Sequence, residues 1–259
     1  GGDAVPGRFA AATLARLRGL PVAMSWVRGN GEREVAEAIG AVAADPDDPV
    51  AVAAALSAAE LSEATALALG ELPRTVSVDG VLYCHASPRR DDEMLTRLSS
   101  AERWSEAMVG VDVALVVGGH THQQDDRTVD ALRFVNAGSV GLPYEGTGAA
   151  RWLWVSDGVP EFRTTLYDAG AAGARILDAG WPDSRSVNAS LIDPIDPASV
   201  LGAACEVLLP REGIELRRKA ALGGRHGYPR RRARACAGRA PRGTPATPRR
   251  SAPGRRRVR

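Results

Sequence analysis

Apolar positions along this chain come in short runs broken by glycine, proline and acidic residues, and the spacing within each run predicts its element. Asp112 to Val117 is small and β-branched, the pattern of a strand buried on both faces. Thr75 to Val78 and Val81 to His85 flank Asp79-Gly80 and predict a β-hairpin, since that pair tolerates the positive φ of a tight two-residue turn. Arg151 to Val155 and Glu161 to Tyr167, joined through Asp157-Gly158, predict a second hairpin. Val22 to Val27 and Leu132 to Asn136 read as further short strands. Helices are expected over Phe9 to Leu17, Arg33 to Ala43, Val50 to Leu56, Ala58 to Leu69, Asp91 to Arg97, Ala101 to Val109 and Ala169 to Ala179. Strand, polar loop, helix and strand again predict an α/β layered domain with its site at strand ends.

Composition divides the chain. Residues 1–210 carry 16 arginines and 29 acidic residues, a balance of −13. Residues 211–259 carry 17 basic residues and two glutamates, a balance of +15, which brings the whole chain to +2. Residues 1–209 are therefore read as one domain and 210–259 as an Arg/Pro/Gly-rich disordered tail, which lacks the apolar residues needed to offset chain entropy. Such a tail invites sequence-independent binding to nucleic-acid phosphates. Against that stand its lack of interleaved aromatics and a composition of the kind a shifted reading frame gives in GC-rich DNA. No run reaches the roughly 18 apolar residues of a membrane span, so no membrane partner is expected. Cys84, Cys205 and Cys236 form neither a CxxC pair nor a disulfide framework, which predicts a reduced, cytoplasmic setting. The chain opens Gly1-Gly2-Asp3 without an initiator Met, and residues upstream of it are expected.

The chemistry gathers at strand-to-loop junctions. Val116-Val117-Gly118-Gly119-His120-Thr121-His122 ends a core strand in two glycines and presents two imidazoles one residue apart. In an extended turn alternate side chains point the same way, so both rings would face one site. Asp3 in a GD pair, Asn30 in GNGE and His85 in CHASP sit at comparable junctions. One carboxylate, one amide oxygen and three imidazoles make a mixed oxygen and nitrogen set suited to Mn, Fe, Ni or Zn, and unlike the sulfur shell of a structural zinc. Arg89 and Arg90 follow the HASP turn and could meet a substrate phosphate through paired N–H donors, or form a solvated pair neutralised by Asp91, Asp92 and Glu93.

In order, GD, GNGE, HASP, GHTH and NAGSVGLP resemble the calcineurin-like metallophosphoesterase superfamily, especially its small bacterial phosphodiesterase-like branch, over about Gly2 to Tyr167. The resemblance implies an αββα sandwich and a two-metal site that hydrolyses phosphate esters. Asp3 would bridge two divalent ions, Asn30, His85 and His120 would complete one shell, and His122 would bind the other ion. Two such cations about 3.5–4 Å apart acidify a bridging water and stabilise charge on the phosphoryl oxygens. The implied substrate is a phosphodiester or small phosphorylated molecule.

Two departures bear on this. The family's first D-x-H motif is not found before Asp3, so the expected sandwich lacks its first strand, and the chain as it stands would hold one ion instead of two. Gly31 stands where many relatives carry a histidine that contacts the leaving group, which leaves protonation to water or another residue and favours acidic leaving groups. Two other readings follow: a catalytically impaired remnant binding one metal or none, and a nucleic-acid-binding protein dominated by its tail.

Overall fold

A computed structural model of the chain describes residues 2–40, 48–146 and 148–180. The expected tail over 210–259, with Cys205 and Cys236, lies outside the described residues.

Strands β1 (Thr75–Val78), β2 (Val81–Cys84), β3 (Leu115–Gly118), β4 (Gln124–Val129) and β5 (Leu132–Ala137) form one sheet in the order β1-β2-β3-β5-β4. The centre is parallel, β2 to β3 and β3 to β5, and the edges β1 and β4 run antiparallel to their neighbours. All four residues of β3 are buried, as its unbroken apolar run predicts. Alternate side chains sort into two cores. Cys84, Val116, Phe134 and Leu132 pack with Trp104, Ala107 and Met108 of the α5 region (α5, Ala101–Ala107) on one face. Val81, Leu115, Val117 and Val135 pack with Tyr83, Leu153 and Val155 on the other. Leu153 and Val155 belong to β6 (Ala150–Ser156), which pairs with β7 (Val159–Thr165) in a separate two-stranded sheet. The result is a mixed α/β fold built around a central mixed sheet, as expected.

A second core is helical. Leu14 of α1 (Ala10–Arg18), Val35 of α2 (Asn30–Glu37), Ala54 and Ala58 of α3 (Pro49–Ala59) and Ala66 and Leu69 of α4 (Glu63–Gly70) bury together with Val5. Ser62 interrupts what read as one apolar stretch and caps α4 by accepting the Thr65 N–H. Helix α6 (Ala169–Asp178) follows β7. No helix among the described residues is long and apolar enough to cross a membrane.

Two expectations differ from the structure, and one strand went unread. Val22 to Val27 is not a strand: Val22 is 64% exposed and only Val27 is buried, and a strand requires a ladder partner that this segment lacks among the described residues. Asp91 to Arg97 is not a helix, because Asp91, Glu93 and Thr96 point inward at a spacing that does not form a helical face. Asp91 meets Arg28 and Arg33, Glu93 meets Ser87 and Arg89, and the Thr96 carbonyl accepts the Trp104 indole N–H at 3.2 Å. Strand β4, QDDRTV, went unread because only Val129 of it is buried, leaving no apolar alternation to detect.

Candidate metal centre

The parallel strands β2, β3 and β5 deliver their C-terminal ends to one region, the usual place for a site in an open α/β sheet. His85 follows β2 and Gly119-His120 follows β3, and the Gly119 N–H donates to the His85 carbonyl at 2.6 Å. Asn136, at the end of β5, is buried. Its amide donates to the Gly119 carbonyl at 2.6 Å and to Thr121 Oγ1 at 2.9 Å, while its oxygen accepts the Gly138 N–H at 2.9 Å. Asn136 therefore pins the GGHTH turn to the NAGS turn.

Asp3 and Asn30 come from the other side. Buried Glu32, at the third position of α2, accepts the N–H groups of Gly29 (2.8 Å), Asp3 (2.7 Å) and Ala4 (2.6 Å), which locks the GD loop onto the start of the helix. Ser57 of α3 holds the loop's far end, accepting the Gly7 N–H at 2.9 Å. The glycines around Asp3 follow from its close approach. A Cβ on Gly2 would lie 2.8 Å from His85 Nδ1, and one on Gly29 would collide with the Asp3 carboxylate. At Gly31 the space is filled by the Pro6 ring, with Asp3 Oδ1 only 3.0 Å away.

Asp3, Asn30, His85 and His120 meet at one point. His85 Nε2 lies 3.0 Å from Asp3 Oδ2, 3.2 Å from Asn30 Oδ1 and 3.2 Å from His120 Nδ1. A ring nitrogen has one N–H or one lone pair and can satisfy one of these three neighbours. One ring nitrogen cannot serve all three neighbours well, which leaves polar atoms under-satisfied in a half-buried pocket, an arrangement that a cation resolves. Asp3, His85 and His120 each offer a ligand atom, all within 4.8 Å of one another. The donor set thus fits a divalent ion with mixed oxygen and nitrogen preference.

The protonation states agree with that use. Burial raises the Asp3 carboxyl, but the His85 hydrogen bond and charge and the Gly31 N–H outweigh it and leave it below the usual carboxylate range. Burial, with His85 adding to it, pushes His120 down to about 4 against the pull of Asp3. Both groups are in ligand form at neutral pH.

His122 lies beside the cluster without joining the ligand group of Asp3, His85 and His120. It lowers the charge affinity of His120 and feels Asp3, yet its ring sits 4.9 Å from that of Tyr144, and its buried Nδ1 makes no hydrogen bond of good geometry. The expectation that both imidazoles face one site assumed an extended turn. Instead His120 (φ 69°) and His122 (φ 58°) both take the left-handed conformation, so alternation does not apply. Arg89 donates to Glu93 (3.0 and 2.6 Å) and to the Glu106 carbonyl, and Arg90 donates to Asp92 (2.8 and 3.1 Å). Both guanidinium groups already serve acidic neighbours.

Asn136 opens the NAGSVGLP motif read from the sequence, whereas Glu32, Ser57 and Asp91 support the site and were not read as doing so. Of these three Glu32 alone left a readable signal, an acidic residue three places after the glycine that caps α2.

A profile of the calcineurin-like phosphoesterase superfamily domain matches residues 2–154. The fold is similar to that of a metallophosphoesterase from Sphaerobacter thermophilus, with a TM-score of 0.57 and 21% identity over 74% of this chain and 86% of that one. It is also similar to a hypothetical protein from Pyrococcus horikoshii OT3, with a TM-score of 0.57 and 16% identity over 71% and 78% of the two chains. No curated protein matches the chain.

Proposed function

We infer that this chain, which belongs to the calcineurin-like phosphoesterase superfamily, hydrolyses phosphodiesters or small phosphorylated molecules at the Asp3/Asn30/His85/His120 cluster. The observation that carries the reading is the crowding of three acceptor atoms around His85 Nε2 at 3.0–3.2 Å. A divalent ion held there supplies a lowered pKa for water and charge stabilisation on the phosphoryl oxygens. Mn, Fe, Ni and Zn all suit the donors.

The chain's own groups set the rest. The Gly31 N–H occupies Asp3 Oδ1 at 2.7 Å and leaves Oδ2 as the oxygen turned to the cluster. His120 presents a neutral Nδ1, because burial disfavours its charged form. His122, whose buried Nδ1 makes no hydrogen bond of good geometry, is the residue left for a second ion. Position 31 offers no proton donor and has no room for one beside Pro6, so the leaving oxygen takes its proton from water. Acidic leaving groups are therefore favoured.

The test uses the full chain with Mn²⁺ and a series of aryl phosphodiesters. Wild type should turn over, with rates rising as the leaving-group pKa falls, and His120→Ala should lose at least the ~100-fold that removal of even a supporting partner can cost. Equal activity in wild type and His120→Ala would sink the assignment.

A further inference from the structure

We propose that Glu34 is a positioning residue for cation binding: it fixes which end of the Asn30 amide faces the cluster. The inference rests on the metal-site reading above and adds a residue outside the ligand set. An asparagine amide has an oxygen that can ligate a cation and an NH₂ that repels one, and the two ends exchange by a half-turn of the side chain. Asn30 and Glu34 lie one turn apart on α2, on the same helical face. Glu34 Oε1 accepts from Asn30 Nδ2 at 3.2 Å, while Asn30 Oδ1 lies 3.2 Å from His85 Nε2 on the opposite side. An ionised carboxylate is acceptor-only, so it can partner the NH₂ end and not the oxygen. With the amide reversed, Oδ1 would face the carboxylate and NH₂ would face the ligand atoms of Asp3, His85 and His120.

The Glu34 carboxylate is itself held in place. Arg33 reaches it at 3.8 Å, and Arg33 is anchored in turn by Asp91 at 3.2 Å. The loop that follows His85 thereby braces the helix that carries Asn30. The pair is half-buried, which leaves Glu34 reachable without opening the core.

The experiment measures Mn²⁺ affinity of the full chain by isothermal titration for Glu34→Ala and Glu34→Gln, in the wild-type background and again in Asn30→Asp. An aspartate at position 30 has two equivalent oxygens, so its orientation needs no guide. In the wild-type background Glu34→Ala should weaken binding about 10-fold, at the lower end of what loss of a supporting partner costs, and Glu34→Gln should keep part of the affinity through its remaining acceptor. In the Asn30→Asp background Glu34→Ala should cost nothing, or tighten binding by removing a like charge. Equal losses in both backgrounds would mean that Glu34 merely supports α2, and unchanged affinity in Glu34→Ala would exclude any role. Wild-type Mn²⁺ binding that survives His120→Ala would instead overturn the underlying site and this inference with it.

Discussion

The loop that follows His85 and the cluster that contains it are built on opposite principles. In the loop, five charged residues have found partners of opposite sign: Arg89 bonds to Glu93, Arg90 to Asp92, and Asp91 to both Arg28 and Arg33. In the cluster, Asp3, Asn30, His85 and His120 turn acceptor atoms toward one another, and no arginine bonds to any of them among the described residues. Polar groups that are already paired need nothing more. Acceptors that crowd around a single ring nitrogen keep an affinity for something external, and a cation is what their chemistry suits. The difference separates residues that could bind from residues that brace, which residue type alone does not.

Substitutions should respond unequally across that divide. The largest effect is expected at Gly31→Ala. Its Cβ would press on Pro6 and on the Asp3 carboxylate, and overpacking of this kind costs about 1–3 kcal/mol. Urea unfolding and Mn²⁺ titration should both record a loss, because displacing Asp3 removes a ligand. Unchanged Mn²⁺ affinity with a lower unfolding midpoint would show that Asp3 lies outside the binding set.

Acid should distinguish the two regions next. The folded His120 stays neutral down to about 4, whereas an unfolded histidine protonates near 6.5. Between those values the unfolded chain binds more protons, so stability of the metal-free protein rises with pH across the window and falls on acidification. Asp92 and Glu93 are held by Arg90 and Arg89 below their ordinary 3.8 and 4.5 despite partial burial, so their contribution persists until the pH falls below that range. Urea midpoints in chelator should thus decline from pH 6.5 toward 4 in wild type, and His120→Gln should flatten that decline. An equal slope in the variant would contradict the assignment of this window to His120.

The smallest effect belongs to the paired loop. Arg90 and Asp92 are half-exposed, and Arg90→Ala should change stability by less than about 1 kcal/mol while leaving Mn²⁺ affinity as it was. A large drop in Mn²⁺ affinity would place Arg90 within the binding machinery.

What the sequence disclosed, and what it hid, follows from the same physics. Both hairpins were legible because Asp79-Gly80 and Asp157-Gly158 do adopt positive φ, 49° and 77° in the first, 52° and 72° in the second. Strand β3 was legible because burial on both faces leaves an unbroken apolar run. Strand β4 was not, since an edge strand with one buried residue carries no period. The stretch from Asp91 was misread because its carboxylates serve arginines 58 and 63 positions earlier in the chain, a contact that local propensity does not encode. At the site, the junction positions of Asp3, Asn30, His85 and His120 could be read, whereas the left-handed backbone at His120 and His122 is not specified by the letters GHTH. Glu34 could not be read at all: its interest lies in the end of the amide it touches.

The central claim is that four side chains form a cation site and the neighbouring charged loop does not. Isothermal titration of Mn²⁺ into the full chain, wild type beside His85→Ala and Arg90→Ala, tests it most directly. The account predicts saturable binding in wild type and Arg90→Ala and its loss in His85→Ala. Binding that survives His85→Ala, or fails in all three proteins, would contradict it.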